Sequence, residues 1–361
     1  MIKLLIADDS ALMRKVLEGI FRDAGGFDVR LARDGVEALE LVQSFGPDVV
    51  TLDVQMPGLD GFACLERIML EAPRPVVMIS ALTGAGAETT LKAMTLGAVD
   101  FVAKPSGTIS LAVERLRDEL LGKVRNAASA RIRPTLRLAE RVRHRFREAG
   151  IPEERSSPGA SRSAGSDSGL VLIGTSTGGP AALDIVLPQL PVDFPWPVLV
   201  AQHMPAFFTV TFASRLDREC QLRVIEVARP VPLQAGTIYI ARGDADIVVA
   251  PRPAGMIAMS VPAQRNYPWH PSVERMVGSA LDHFDANRLV GVLMTGMGND
   301  GANAMTALRA KGGQTIAEAE STATIWGMPG ELVRLGGAQR ILPVEDIAAA
   351  IVTMVGTHAS R

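Results

Sequence analysis

Val171-Leu172-Ile173-Gly174-Thr175-Ser176-Thr177-Gly178-Gly179-Pro180, followed by the helical pattern Ala181 to Leu187, reads as a strand, a tight glycine turn and a helix. The apolar run is short and unbroken, as in a strand buried on both faces. Further runs at Pro197 to Ala201, Gly236 to Ile240, Asp246 to Ala250, Arg288 to Thr295 and Gln314 to Ala317 continue the alternation toward the C-terminus. Ile247 to Pro262 has the pattern of a hairpin, with Pro253-Ala254-Gly255 near its turn. Residues 169–361 are therefore expected to form a doubly wound α/β domain with an antiparallel hairpin.

Toward the N-terminus, runs at Lys3 to Ala7, Asp48 to Leu52, Val76 to Ile79 and Asp100 to Val102, with a weaker one at Phe27 to Ala32, alternate with helix patterns. Those helices, at Leu12 to Ala24, Gly35 to Phe45 and Thr89 to Leu96, carry apolar residues at three-four spacing. The pattern predicts a parallel α/β domain of five strand–helix units over residues 1–121. Residues 122–168 differ: 11 Lys and Arg stand against 5 Asp and Glu, and Ser157 to Ser168 is rich in Ser, Gly, Ala and Pro. They read as a basic helix around Leu136 to Ala149 and a flexible tether, a solvated linker between two domains.

The 361 residues, 47% hydrophobic and 21% charged, can fill two cores and exclude a fully disordered chain. A net charge of −2 gives no electrostatic drive toward nucleic acid. Met1 to Asp9 is too short and too acidic for a signal peptide, and no uncharged apolar stretch reaches the roughly 18 residues of a membrane span. A cytoplasmic protein without direct membrane insertion is expected. Cys64 and Cys220 lie in separate halves without CxxC spacing, as buried small residues do.

Ligands of open α/β sheets sit at the carboxyl ends of the strands. In the first domain Asp8 and Asp9 close the first strand, Asp53 the third, Ser80 the fourth and Lys104 the fifth. Three carboxylates at close range repel and call for a cation, and hard oxygen ligands suit Mg²⁺. Asp53 could then attack a phosphoryl group, with Lys104 and the Ser80 hydroxyl on its equatorial oxygens. Ala7-Asp8-Asp9-Ser10, Leu52-Asp53-Val54-Gln55-Met56-Pro57-Gly58-Leu59-Asp60-Gly61, Ile79-Ser80-Ala81 and Ala103-Lys104-Pro105 resemble the response-regulator receiver domain. The resemblance implies a flavodoxin-like fold with a five-stranded parallel sheet, Asp53 as phosphoacceptor, Asp8, Asp9, Asp53 and the Gln55 carbonyl as Mg²⁺ ligands, Ser80, Phe101 and Lys104 as switch residues, and a chemotaxis histidine kinase as donor.

In the second domain the strand-turn-helix sets Ser176 at a helix N-terminus, where backbone N–H groups can face an oxyanion. A phosphate-binding loop is excluded because Pro180 stands where that pattern demands Lys. His203 follows the next strand and Asp300 lies past another, so nucleophile, base and orienting acid can share one rim. His270 and His283 are weaker base candidates, since neither follows a strand, and His144 and His358 have no such setting. Trp196, Trp269 and Trp326 read as packing or rim residues. Gly296-Met297-Gly298-Asn299-Asp300-Gly301 also spells GxGxxG, with Glu318 and Glu320 near ribose-binding spacing, which keeps a dinucleotide-binding enzyme as an alternative. A response regulator with a non-catalytic output is the other alternative.

Gly174-Thr175-Ser176-Thr177-Gly178-Gly179, Gln202-His203-Met204-Pro205, Pro271-Ser272-Val273 and Thr295-Gly296-Met297-Gly298-Asn299-Asp300-Gly301, behind a receiver, resemble the chemotaxis protein-glutamate methylesterase (CheB) family over the whole chain. The resemblance implies a Ser176, His203 and Asp300 triad, with Thr177 and Met297 backbone N–H groups as oxyanion donors. It further implies hydrolysis of glutamyl methyl esters on chemoreceptor cytoplasmic helices with release of methanol, glutamine deamidation, and no cofactor for the esterase domain. In the family the unphosphorylated receiver restrains the esterase and phosphorylation relieves it. Gln55 where Glu is common, Gly58 where the family has a larger residue, and His270 where Arg is common are departures that bear on regulation and receptor preference.

Overall fold

In the N-terminal half, Leu4, Leu5 and Ile6 are fully buried because helices cover both faces of their strand. The computed structural model describes residues 1–81, 84–104, 109–130, 132 and 169–359, and the chain divides into two compact units, Met1–Ser157 and Pro158–Arg361. The first unit holds β1 (Ile2–Ala7), β2 (Phe27–Ala32), β3 (Val49–Asp53), β4 (Val76–Ala81) and β5 (Asp100–Lys104), all parallel in the order β2-β1-β3-β4-β5. Helices α1 (Ala11–Ala24), α2 (Gly35–Ser44), α3 (Gly61–Glu71), α4 (Gly84–Thr95) and α5 (Ile109–Ala128) connect and close it. Ser10, Asp34 and Asp60 cap the first three by accepting backbone N–H groups of the first turn. The flavodoxin-like five-stranded sheet expected from the sequence is present.

Helix α5 runs on to Ala128, past the boundary expected after residue 121. Val124 and Ala127 are fully buried in the same apolar cluster as Leu4, Ile6 and Phe21, so the chain here is core rather than tether. Local basic charge misled the expectation: the Lys123 ammonium is turned inward, on the Phe101 carbonyl at 2.6 Å and the Asp100 carboxylate at 3.2 Å. The basic helix expected around Leu136 to Ala149, with His144, and the tether lie outside the described residues.

The second unit is built on seven parallel strands in the order β15-β14-β13-β6-β7-β10-β8. These are β6 (Leu170–Thr175), β7 (Val198–Gln202), β8 (Arg223–Val227), β10 (Thr237–Ala241), β13 (Leu289–Leu293), β14 (Gln314–Glu318) and β15 (Arg340–Leu342). Helices α6 (Gly179–Val186), α7 (Ala206–Glu219), α8 (Val273–Leu281), α9 (Ala302–Ala310), α10 (Met328–Arg334) and α11 (Val344–Ala359) flank the sheet. The expected hairpin forms from β11 (Ala245–Arg252) and β12 (Gly255–Pro262), joined through Pro253-Ala254, and β9 (Val231–Pro232) adds a third antiparallel strand. Strand β6 is central: the chain leaves it toward β7 on one side and returns to β13 on the other. The loops after β6, β7 and β13 therefore meet at a switch point of the sheet. Both cysteines are buried and free, and no described helix is long and apolar enough to cross a membrane.

Candidate active site

Ser176 directly follows β6 and His203 directly follows β7, and adjacent parallel strands bring the two loops together. The His203 N–H donates to the Thr175 carbonyl at 3.0 Å. Gln202, to which the sequence alone assigns no role, clamps the pair. Its Nε2 donates to the Ser176 carbonyl at 2.9 Å and the His203 carbonyl at 3.0 Å, and its Oε1 accepts the Thr175 hydroxyl at 2.7 Å. Gly179 is required there, since an added Cβ would lie 2.0 Å from the Gln202 Oε1.

Asp300, beyond β13, meets His203: its Oδ2 lies 2.8 Å from the imidazole Nε2. The other ring nitrogen, Nδ1, is buried and has no hydrogen-bond partner among the described residues. The serine-to-histidine bond expected of a closed triad is thus not made, as is common in resting hydrolytic sites, where such bonds tighten around substrate. Trp269, expected as packing or rim, stacks beside the imidazole with ring planes 5° apart and centroids separated by 6.2 Å.

Why Asp300 points where it does follows from the helix starting beside it. The first N–H groups of a helix have no intrahelical partner. Asp300 accepts the Val273 N–H at 2.7 Å, the Glu274 N–H at 3.0 Å and the Ser272 hydroxyl at 3.1 Å at the start of α8. Glu274 returns the arrangement, accepting the Asn303 and Ala304 N–H groups at 2.8 and 2.9 Å at the start of α9. Burial, against those two backbone donors, pushes the Glu274 carboxyl up, and the nearby Asp300 charge adds to it.

The loop before α8 is fixed from its other side by Asp246, which sequence reasoning missed. Asp246 accepts from His270 Nδ1 at 2.9 Å, the Ser272 N–H at 2.8 Å and Arg275 at 2.8 Å. Burial raises its pKa, but these bonds outweigh it and hold the carboxyl below its ordinary value. His270 is therefore bound through Nδ1 to Asp246, and His283 is exposed at the end of α8.

In the first unit the order reversal between β1 and β3 gathers Asp8, Asp9 and Asp53, each offering one oxygen within 4.8 Å of the others. Lys104 Nζ lies 2.7 Å from Asp53 and 2.9 Å from Asp8. Asp8 and Asp53 are buried while Asp9 is exposed. Burial penalises the Lys104 charge, but the two acids outweigh it and keep the ammonium protonated. One ammonium against three carboxylates leaves net negative charge in a partly buried oxygen cluster, which fits a hard divalent cation. Ser80 is buried on β4, paired with Ala103 of β5, the residue before Lys104, and Phe101 is buried with the Lys123 ammonium 4.9 Å from its ring centroid. The Gln55 N–H donates to Asp53 at 3.3 Å. Gly61 is dictated by contact: a Cβ would lie 2.0 Å from the Asp53 carbonyl oxygen.

A family model described as CheB methylesterase matches residues 171–351, and one described as Response regulator receiver domain matches residues 4–115. The chain belongs to the CheB methylesterase family. A protein of Rhodopseudomonas palustris (strain BisB18) named "Protein-glutamate methylesterase/protein-glutamine glutaminase 2" is 67% identical over 98% of this chain and 98% of its own. One of Rhodospirillum rubrum, with the same name numbered 3, is 52% identical over 97% of this chain and 95% of its own. The crystal structure of the Thermotoga maritima CheB methylesterase catalytic domain matches with 32% identity and a TM-score of 0.50, covering 52% of this chain and 98% of that one.

CheB membership disposes of the dinucleotide alternative, and the geometry agrees. The GxGxxG glycines are filled from within: a Cβ on Gly296 would lie 2.4 Å from the Met328 sulfur and 2.8 Å from the Ser176 Cβ, and one on Gly298 would lie 2.6 Å from Trp269. The start of α9, where a pyrophosphate would sit, is taken by the Glu274 carboxylate. Glu318 is buried and bonded to the Thr295 N–H at 2.7 Å.

Proposed function

We propose that this chain hydrolyses glutamyl methyl esters on chemoreceptor cytoplasmic helices, releasing methanol, and deamidates receptor glutamines at the same site. The observation that carries the reading is an imidazole held by a helix-bound carboxylate in the loop next to the one that carries the strand-end serine. Ser176 attacks the ester carbonyl while His203 takes the hydroxyl proton at Nδ1, the nitrogen with no other hydrogen-bond partner. Asp300 keeps the second ring proton on Nε2 and stabilises the imidazolium. The family resemblance gives the oxyanion to the N–H groups of Thr177 and Met297; the Ser176 N–H lies on the Thr295 carbonyl at 3.0 Å. His203 then gives its proton to the departing methoxide, and water repeats the cycle on the acyl-enzyme to leave a glutamate side chain. In deamidation ammonia leaves in place of methanol.

Residues 1 to about 130 form the regulatory half and 169–361 the catalytic half in this reading. A histidine kinase or small phosphodonor phosphorylates Asp53, whose equatorial phosphoryl oxygens fall to Lys104 and Ser80, and Phe101 responds. Asp8, Asp9, Asp53 and the Gln55 carbonyl would hold Mg²⁺, which supplies charge neutralisation for phosphoryl transfer. The protein acts in the cytoplasm, where receptor helices and kinase are available.

The decisive test is methanol release from methylated receptor fragments with and without a small phosphodonor. Ser176→Ala should abolish release and leave Asp53 phosphorylation intact. Asp53→Asn should lose only the phosphodonor response. Full hydrolysis by the serine variant would remove Ser176 from the chemistry.

A further inference from the structure

Thr295, one residue before the glycine turn, is where three segments of the site are tied. Its carbonyl accepts the Ser176 N–H at 3.0 Å, and its hydroxyl donates to the Thr177 carbonyl at 2.9 Å and accepts the Ile325 N–H at 3.0 Å. The next residue, Gly296, donates to the Ile325 carbonyl and accepts the N–H groups of Gly327 and Met328. The Thr295 N–H is the one group of this hub held by a charge: it donates to Glu318 Oε2 at 2.7 Å. Glu318 Oε1 accepts the Thr322 hydroxyl at 3.0 Å, and Thr322 in turn accepts the Val344 N–H at 3.1 Å.

We propose that the Glu318 carboxylate is a positioning group for acyl transfer, anchoring Thr295 and through it the turns that carry Ser176, Thr177 and Met297. The inference rests on the hydrolytic reading of Ser176. Glu318 is 1% exposed and touches no substrate; it acts through Thr295. A hydrogen bond to an ionised acceptor is shorter and about twice as strong as one to a neutral acceptor, so the anchor is firmest when the carboxylate is charged. No cation offsets that charge among the described residues packed around it. Strand β13 has no charged side chain, Arg340 lies on β15, Arg309 on α9, the Glu331–Arg334 pair on α10, and Glu345 and Asp346 on α11. Of these Glu345, of like sign, acts on it. Burial above all, with Glu345 adding, outweighs the Thr295 and Thr322 bonds and pushes the carboxyl up to about 7. The anchor therefore changes strength across neutral pH, weaker below and stronger above.

The test measures kcat and KM for phosphodonor-activated methanol release from methylated receptor fragments, using the full chain, Glu318→Gln, Glu318→Leu and Ser176→Ala. The glutamine amide can accept from Thr295 and donate to Thr322, so it keeps the packing and removes the titration. In the wild-type to Glu318→Gln ratio of kcat, pH effects from elsewhere in the chain and the receiver's response cancel. That ratio is expected near one at about pH 5.5 and about three- to tenfold by about pH 8.5, with KM unchanged. Glu318→Leu, which strands the Thr295 N–H, is expected at least about tenfold down in kcat at every pH. A flat ratio of one while Ser176→Ala is inactive overturns the inference alone, whether or not the leucine variant folds. Methanol release that survives Ser176→Ala overturns the hydrolytic reading and this inference with it.

Discussion

Replacing Asp300 with asparagine separates the chemistry of the triad from the packing of its acid. The carboxylate takes four donors: His203 Nε2–H and Val273 N–H on Oδ2, and Glu274 N–H and the Ser272 hydroxyl on Oδ1. An amide keeps one acceptor oxygen and puts an NH₂ group at the other position. At either position one backbone donor is stranded: the Val273 N–H at Oδ2, where His203 can accept in its other tautomer, or the Glu274 N–H at Oδ1, where the Ser272 hydroxyl can turn to accept. One buried donor left unpaired costs about 1–3 kcal/mol of stability. The chemical loss is larger, because the imidazolium at His203 no longer faces a negative charge, and amide replacement of a triad acid lowers kcat by on the order of 10⁴. Methanol release and a thermal melt on the same sample are expected to show an enzyme reduced about 10³- to 10⁴-fold in kcat and only modestly destabilised. A folded Asp300→Asn variant within about tenfold of wild type would refute the assignment of Asp300 as the group that orients and charges His203.

Three further predictions test the two halves. Gly61→Ala forces a Cβ against the Asp53 carbonyl and is expected to cost about 1–3 kcal/mol in a denaturant melt of the receiver and to slow phosphorylation by a small phosphodonor. Arg215→Ala leaves the buried Asp184 carboxylate, now bonded at 2.7 and 2.9 Å, without its guanidinium, and is expected to destabilise the catalytic unit by about 3–5 kcal/mol by the same measurement. Glu318 carries an ordinary value of 4.5 and a folded value of about 7, so the folded state binds its proton more tightly. Its contribution to stability is complete below about pH 4.5 and lost as pH rises through about 7, a change of at most about 3 kcal/mol. Glu318→Gln should therefore gain in melting temperature on wild type between about pH 5 and about pH 8, and a constant difference would remove the buried charge as its cause. Stability and activity then move in opposite directions at one residue, which places the cost of that charge at the site it serves.

Much of the architecture was legible because its signals are local. Unbroken apolar runs such as Val171 to Ile173 and Val49 to Leu52 belong to strands covered on both faces, and both are wholly buried. Strands β8 and β15 went unread, for they are edge strands with exposed positions and little apolar contrast. Helix α5 continues past residue 121 because basic charge does not by itself mean solvent exposure: the Lys123 ammonium lies on a carbonyl and two acids.

At the sites, the residues that stand at or past strand ends can be read from local pattern alone: Asp8, Asp9, Asp53, Ser80 and Lys104 in one half, Ser176, His203 and Asp300 in the other. Strand alternation and the rule that ligands gather at carboxyl ends require no knowledge of distant contacts. Packing in three dimensions sets which nitrogen of His203 faces Asp300 across 97 residues of chain, that Asp246 and Asp300 grip the same loop from two sides, and that Glu318 bonds Thr295 rather than a ribose. Those outcomes depend on which carboxylate lies against which unpaired backbone N–H after the sheet and helices have packed. A buried donor or acceptor must find a partner, and that partner is chosen by position in space, which no local pattern of residues encodes.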